Sequence, residues 1–520
     1  MLNIAHWVTK AAASNPDDPA LIEPDLHITR TFGELRTRTR LLAHAISELP
    51  RGGKGGRVAA FGRNSLELVE LYIACAWSGS LLFPMNWRQS TALNQEALVA
   101  SKPAVVFYDV EFAGEIDSLR GSAPDARWIE WAPGKPSGFE DLIREFSARP
   151  DLPPLPDPMS LINEPYLAVS TGGSTGIPKA AIHSQYTYGA NLINFLAAQR
   201  VQEQDVFMML GQLFHILGYM PFAFLAMGRP VVITNFDAER TIEIINAEGV
   251  TVFFAIATML PRMVEVLRKK GITTPTIRCV GYGGARTAEE VIRAAATHFD
   301  ADMMQIWGMT EFGTGTILGP EAHRLALSGD RPDLLRSCGR AGFLSDVKVV
   351  DQSGELVPQD GTTVGELCYH GPNNMLRYFN RPEETADIIQ GEWVHTGDGA
   401  TWDREGYFYI ADRIKSMIIS GGENIFPAEI EHSIANIPGI TEVSVVAAPH
   451  PEWGEIVRAV VVCPDRSVTE EVIVATVERE LGTYRKPRIV TFVDALPMTP
   501  TGKINLKAVR EIPLGDSRRN

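Results

Sequence analysis

The residues from Tyr166 to Lys179, Tyr-Leu-Ala-Val-Ser-Thr-Gly-Gly-Ser-Thr-Gly-Ile-Pro-Lys, have the composition of an anion cradle. Tyr166 to Val169 are apolar and β-prone. The loop that follows carries Gly172, Gly173 and Gly176, which let main-chain N–H groups approach a phosphate closely. Ser170, Thr171, Ser174 and Thr175 add hydroxyl donors, and Lys179 adds a cation behind the stiff Pro178. The spacing is not that of the ordinary NTPase phosphate loop, because Lys179 follows Ile177-Pro178 and precedes Ala180. Gly172 to Gly176 does match Gly-x-Ser-x-Gly, the nucleophile elbow of a serine hydrolase, with Ser174 as the nucleophile. That elbow needs a helix directly after its serine, and Pro178 interrupts one. The plain alternative to both is a solvated linker.

Other chemistry-bearing residues sit elsewhere. Gln305-Ile-Trp-Gly-Met-Thr-Glu311 ends a predicted strand and places a hydroxyl and a carboxylate together. Beside a phosphate site such a carboxylate can hold Mg²⁺, which takes oxygen ligands; otherwise it is simply solvated. Thr396-Gly-Asp398 offers a hydroxyl and a carboxylate acceptor around a glycine, although Gly-Asp is also a common turn. Leu496-Pro-Met-Thr-Pro-Thr-Gly-Lys-Ile504 puts Lys503 on a turn near the C-terminus. His215, in Leu213-Phe-His-Ile-Leu-Gly218, is a lone histidine in an apolar run, as often packed core as functional.

The elements that must position these groups are legible in part. The first third reads as a helix-flanked sheet, with an amphipathic N-terminal helix, helices over Thr31 to Leu49 and Asn64 to Ser78, and strands over Val58 to Phe61 and Ala104 to Tyr108. From Val231 to Trp307 strands and helices alternate, and Leu260, Met263, Val264 and Leu267 recur at the spacing of a helix lying on a sheet. This pattern predicts an α/β fold with a mostly parallel, doubly wound, helix-flanked sheet. Ligands of such sheets lie beyond the carboxyl ends of the strands, where Gly281-Tyr-Gly-Gly-Ala285 and Gly308-Met-Thr-Glu311 fall. From about 335 to 410 short runs and turns predict a small β-subdomain. After Arg413 strands and helices mix again, predicting a separate α+β domain of an independent unit's size.

At 520 residues the chain exceeds one ordinary core. A net charge of −15 argues against nucleic acid or an anionic membrane as the main partner, so any phosphate site must be locally basic. Cys75, Cys279, Cys338, Cys368 and Cys463 form no Cys-x-x-Cys pair and are read as reduced core residues. With no signal-peptide pattern at the N-terminus, the expectation is a cytoplasmic protein. Val206 to Gly228 carries no charge, but its glycines, Pro221, Gln212 and His215 favour buried strand, loop and helix over a membrane span.

Taken in order, these motifs, together with Ala411-Asp-Arg-Ile-Lys-Ser-Met-Ile-Ile-Ser-Gly-Gly-Glu-Asn-Ile425, resemble those of the adenylate-forming superfamily: acyl-CoA synthetases, luciferases and peptide-synthetase adenylation domains. The likeness runs from about Thr31 to Arg510, and the Gly-Gly-Glu-Asn-Ile wording is most like acyl-CoA or aryl-CoA ligases. It implies an adenylation domain over 1–412 and a mobile lid domain over 413–520. The implied reaction joins a carboxylic acid, fatty or aromatic, to ATP as acyl-AMP with release of pyrophosphate, then passes the acyl group to coenzyme A. Two alternatives are transfer to an amine or a carrier-protein thiol and, more distantly, the serine hydrolase.

The resemblance also implies roles. Ser170 to Gly176 and Lys179 would hold pyrophosphate, and Gly283, Gly284, Ala285, Trp307 and Gly308 would border the nucleotide. Thr310 would meet the α-phosphate, Glu311 Mg²⁺, and Asp398 and Arg413 the ribose. Lys503 would bridge substrate carboxylate and α-phosphate, and Lys415 would be the hinge. Ser420, Gly421 and Gly422 would face coenzyme A, while His215, Ile216, Tyr219, Gly284 and Met309 would line the acyl pocket. A homodimer stays open as an assembly. Trp307 stands where the family has Tyr, Ala180 where it has Gly, and Asn505 where many members have Arg.

Overall fold

Four strands and three helices alternate from Val231 to Trp307: strand Val231–Ile233, helix Ala238–Ala247, strand Val252–Ile256, helix Leu260–Lys270, strand Cys279–Gly283, helix Glu289–Phe299 and strand Asp302–Trp307. Short β-branched and aromatic runs make the strands, and the helices begin where Asp237 caps Arg240 N–H or where Pro261 fixes a first turn. Leu260, Met263, Val264 and Leu267 are all buried, as their spacing requires. Each such side chain contributes at most roughly 1.5–3 kcal/mol.

This computed structural model describes residues 2–171, 179–413, 418–420, 423–425, 427–451, 453–499 and 504–513. The chain forms two compact units, Met1–Val347 with Tyr369–Val394, and Lys348–Cys368 with His395–Asn520.

The first unit holds two sheets. In the nine-stranded one, six strands run parallel in the spatial order Asp302–Trp307, Cys279–Gly283, Val252–Ile256, Phe207–Met209, Val231–Ile233 and Pro19–Glu23. Antiparallel strands close both edges. The seven-stranded sheet orders Arg377–Tyr378, Ala180–Ser184, Pro165–Ser170, Leu81–Met85, Arg57–Phe61, Val105–Asp109 and Arg127–Trp131, antiparallel over its first three strands and parallel beyond. A large apolar cluster that includes Leu42, Val69, Tyr72, Phe222 and Phe254 fills the interior.

The uncharged stretch at 206–228 folds as strand Phe207–Met209, a 3₁₀ turn Ile216–Tyr219 and helix Met220–Ala226, because its glycines and Pro221 divide it. Among the described residues no helix is long and apolar enough to cross a membrane. All five cysteines are buried and free.

In the second unit, strand Gly454–Val462 pairs antiparallel with Glu442–His450 and parallel with Ile489–Val493. Ile430, Ile434, Val445, Val457, Val461, Ile473 and Val477 form its core. Residues 398–402 pair antiparallel with 408–413, with Asp398 opposite Arg413.

One cost is built into the first unit. Glu23 accepts the N–H of Leu66 at the start of helix Leu66–Ser78, and burial with the nearby Glu67 charge pushes its carboxyl up to about 8. Burial, then the Glu70 charge, pushes Glu67 up to about 7. Both acids bind protons more tightly folded than unfolded, so stability is full below the ordinary carboxylate range and falls as pH rises through 7 to 8. Glu67→Gln should remove its share, at most ~3 kcal/mol. Thermal melts over this range should show a flatter pH dependence in the variant, and superimposable profiles would contradict the assignment.

Candidate active site

The phosphate-loop candidate is held at both ends by an antiparallel hairpin. Ser170 pairs with Ala180, and Thr171 N–H donates to the Lys179 carbonyl at 2.7 Å. Gly172, Gly173, Ser174, Thr175 and Gly176 lie outside the described residues, so the structure places only Ser170, Thr171 and Lys179 of this set, all half-buried.

Lys179 leads directly to the second motif. Its ammonium stands 5.1 Å from the centroid of the Tyr378 ring, and the Tyr378 hydroxyl donates to Oε1 of the buried Glu311. Tyr378 is fixed by its strand, in which it lies opposite Ala181, and the flanking Leu376 and Phe379 N–H groups donate to Ile182 and Ala180. The cation and the carboxylate, 132 positions apart in the chain, thus share one aromatic ring. A cation over a ring and a charge-assisted hydrogen bond both gain strength from partial burial.

The turn carrying Thr310 and Glu311 is set by close backbone approach. Gly313 N–H donates to Met309 O at 2.7 Å and Gly315 N–H to Trp307 O at 2.9 Å. A Cβ on Gly308 would fall 1.6 Å from the Gly313 carbonyl oxygen. Strand Asp302–Trp307 runs beside Cys279–Gly283 with Gly283 opposite Ile306, so Gly284-Ala285 and Gly308 to Glu311 leave neighbouring carboxyl ends, as a doubly wound sheet requires. Gly284 has φ +80, and both Gly284 and Ala285 are exposed. The Trp307 ring lies 5.6 Å from that of Phe312.

His183 secures this turn from behind. Its Nε2–H donates to the Thr310 carbonyl at 2.8 Å, and Nδ1 faces the Thr187 hydroxyl at 3.4 Å. Burial pushes the imidazole down to about 4, so it is neutral and the bond to a carbonyl fixes the proton on Nε2. Buried amides complete the support. Asn373 donates to the Phe312 carbonyl at 2.6 Å, Asn191 accepts the Thr314 N–H at 3.0 Å, and Asn194 donates to the Thr314 carbonyl at 3.1 Å. Asn191 and Asn194 project from helix Gln185–Gln199, whose start is a reciprocal Ser184 and Thr187 cap.

Of the acyl-pocket candidates, Tyr219 is fully buried with its hydroxyl paired to that of Thr314, and Ile216 is buried in the apolar cluster. His215 is half-buried with its ring 4.5 Å from Phe214, and Met309 packs against the cluster of Phe312 and Tyr369.

In the second unit Asp398 is buried at the end of the Thr396-Gly397-Asp398 segment, inside strand Trp393–Trp402. Thr396 Oγ1 donates to Leu367 O at 2.6 Å and accepts the Asp398 N–H at 3.0 Å. Glu366 holds the middle, accepting Gly397 N–H on one oxygen at 2.9 Å and His395 Nδ1–H on the other at 2.8 Å. Gly397 has φ +68, which a glycine adopts without strain. Arg413 is placed only by its backbone opposite Asp398, and Ser420 is a buried strand residue opposite Glu423. Lys415, Gly421, Gly422 and Lys503 lie outside the described residues.

Sequence reasoning missed Tyr378, His183, Glu366 and the three asparagines. Each acts on a partner far away in the chain, a relation that composition and local spacing do not carry.

Comparison with known proteins gives one answer over the whole length. Residues 8–379 match the family described as AMP-binding enzyme, and residues 429–503 match the AMP-binding enzyme C-terminal domain. The chain is 31% identical over 513 residues to a feruloyl-CoA synthase of Amycolatopsis sp, covering 98% of each protein. It is 32% identical over 515 residues, again 98% of each, to the long-chain-fatty-acid–CoA ligase FadD13 of Mycobacterium tuberculosis. The solved amide bond synthetase McbA of Marinactinospora thermotolerans superposes with a TM-score of 0.84 at 25% identity, over 98% of this chain and 99% of that one.

Proposed function

From the premise that this chain belongs to the family of AMP-binding enzymes, we propose that it is an ATP-dependent carboxylic acid:CoA ligase acting on a fatty or aromatic acid. The observation that carries the site assignment is the Lys179, Tyr378 and Glu311 assembly, which sets a cation and a carboxylate at the base of a Ser/Thr/Gly-rich loop.

A carboxylate is a poor electrophile, because its charge repels a nucleophile and oxide leaves badly. Attack of the substrate carboxylate on the α-phosphorus of ATP forms the acyl–O–P bond and breaks the bond to pyrophosphate. A thiolate then adds to the acyl carbon, and AMP departs with the electron pair. Catalysis of the first step is mainly positioning and neutralisation of anions. The loop from Ser170 to Lys179 holds the departing pyrophosphate, Thr310 the α-phosphate, and Asp398 with Arg413 the ribose. Gly283, Gly284, Ala285, Trp307 and Gly308 border the base, and the acid enters beside His215, Ile216, Tyr219 and Met309. Glu311 offers the carboxylate oxygens that Mg²⁺ takes, and a bound ion would there screen phosphate charge. Between half-reactions the 413–520 segment pivots at Lys415, so that Lys503 gives way to Ser420, Gly421 and Gly422 beside coenzyme A.

Mixing the protein with Mg²⁺-ATP and a panel of acids should release pyrophosphate for some acid, and product should become acyl-CoA when CoA is added. ATP left intact with every acid would sink the proposal. The likeness to an amide bond synthetase keeps one rival acceptor in view. Acyl-adenylate that is trapped by hydroxylamine or an added amine but not consumed by CoA would favour it.

Tyr378→Phe tests the assembly. It keeps the ring under Lys179 and removes the hydrogen bond to Glu311, so adenylation should slow about tenfold, the size of one bond to a charged group. The Mg²⁺ concentration for half-maximal rate should shift as well. A normal rate and Mg²⁺ response would show that the hydroxyl does not position Glu311.

A further inference from the structure

The second unit contains a convergent donor set that the two half-reactions do not use. Side chains alternate along strand Gly365–His370, so Glu366 and Cys368 point to one face. His395 reaches them from the neighbouring strand Trp393–Trp402. His395 Nδ1 is 2.8 Å from Glu366 Oε2 and 3.6 Å from Cys368 Sγ, and all three donor atoms lie within 4.8 Å of one another. The thiol is buried, while the His395 and Glu366 side chains keep 23% and 24% of their surface, so the cluster opens to solvent on their side.

We propose that Glu366, Cys368 and His395 bind one divalent cation of the zinc class. Thiolate, imidazole and carboxylate together are the ligands of a borderline-soft ion, whereas Mg²⁺ and Ca²⁺ prefer oxygen alone. Tetrahedral Zn²⁺ with bonds of about 2.3 Å to sulfur and about 2.0 Å to nitrogen separates those atoms by roughly 3.5 Å. The Sγ to Nδ1 distance is already close to that value. The nitrogen and the carboxylate oxygen, held at hydrogen-bond distance, must part by roughly half an ångström. Water supplies the fourth position. The Gly397 N–H on the other oxygen of Glu366 orients that carboxylate as an outer partner orients a metal ligand. Occupancy therefore bears on the strand segment that presents Asp398.

The test uses the metal-free, full-length protein and Co²⁺ as a spectroscopic substitute for Zn²⁺. One equivalent of Co²⁺ should give a near-ultraviolet thiolate-to-metal charge-transfer band that Zn²⁺ displaces and Mg²⁺ does not. Cys368→Ser should abolish the band, and His395→Ala should weaken Co²⁺ binding at least about tenfold. Cys463→Ser, which alters a buried thiol elsewhere in the unit, should leave both unchanged. No band in the unsubstituted protein, or a band that survives Cys368→Ser, overturns the proposal. The first of these needs no variant to fold.

Discussion

Gly308→Ala is expected to cost about 3 kcal/mol or more of unfolding free energy and to slow adenylation about a hundredfold in whatever protein remains folded. The new Cβ would sit 1.6 Å from the Gly313 carbonyl oxygen and 2.8 Å from its carbon. Both are backbone atoms, so no rotamer change relieves the clash. The turn can open only by losing the Gly313 to Met309 and Gly315 to Trp307 hydrogen bonds, and with them the placement of Thr310 and Glu311. Their other anchors would pull the opposite way, since His183 holds the Thr310 carbonyl and the Met375 N–H donates to the Glu311 carbonyl at 2.6 Å. An ångström of displacement at the reacting groups is enough for a hundredfold loss. Gly114→Ala is the control. It lies in helix Ala113–Leu119, where an added Cβ would meet nothing within 4 Å, and should stabilise by about 0.5–1 kcal/mol. Denaturant unfolding and pyrophosphate release measure the two effects. Gly308→Ala with wild-type values for both would show that the close approach is not needed.

The contrast between these glycines also shows what the sequence can reveal. Periodicity placed the strand and helix alternation over 231–307 because burial on a sheet imposes a local repeat, and the stripe from Leu260 to Leu267 is buried as that repeat demands. The uncharged stretch at 206–228 was legible for a similar reason, since breakers act on their immediate neighbours. Strand ends fared less well. The strand expected over Ala104 to Tyr108 runs Val105–Asp109, because pairing with Arg127–Trp131 sets its limits. At the site, Lys179 and Glu311 were visible as chemistry, but the Tyr378 ring that joins them was not. Nor was His183, which reaches across 127 positions to one carbonyl oxygen. Glu366 reads locally as an ordinary strand residue, and only the fold shows that it holds Gly397. Local rules therefore single out side chains capable of chemistry, and tertiary pairing supplies the groups that hold them.

Lys503→Ala is expected to separate the two half-reactions. In the first, a carboxylate approaches a triphosphate, and negative charge builds between the acyl oxygen and the α-phosphate. A chain with a net charge of −15 supplies no general positive field to offset this, so local cations must do so. Removing one preorganised donor from such a site typically costs roughly 10²–10³ in rate, about 2.7–4 kcal/mol. Adenylation by Lys503→Ala should fall by at least that factor, with unfolding free energy unchanged within about 0.5 kcal/mol. The second half-reaction has a different charge balance. The acyl-adenylate is already activated, AMP leaves with its own charge, and the attacking thiol does not need a cation on the α-phosphate side. Supplied with synthetic acyl-adenylate and CoA, the variant should therefore form thioester within about twofold of the wild-type rate. Lys503→Arg keeps the charge but changes its shape and reach, and should fall between wild type and alanine. Equal losses in both half-reactions would mean that Lys503 serves one fixed site, and the pivot at Lys415 would lose its purpose.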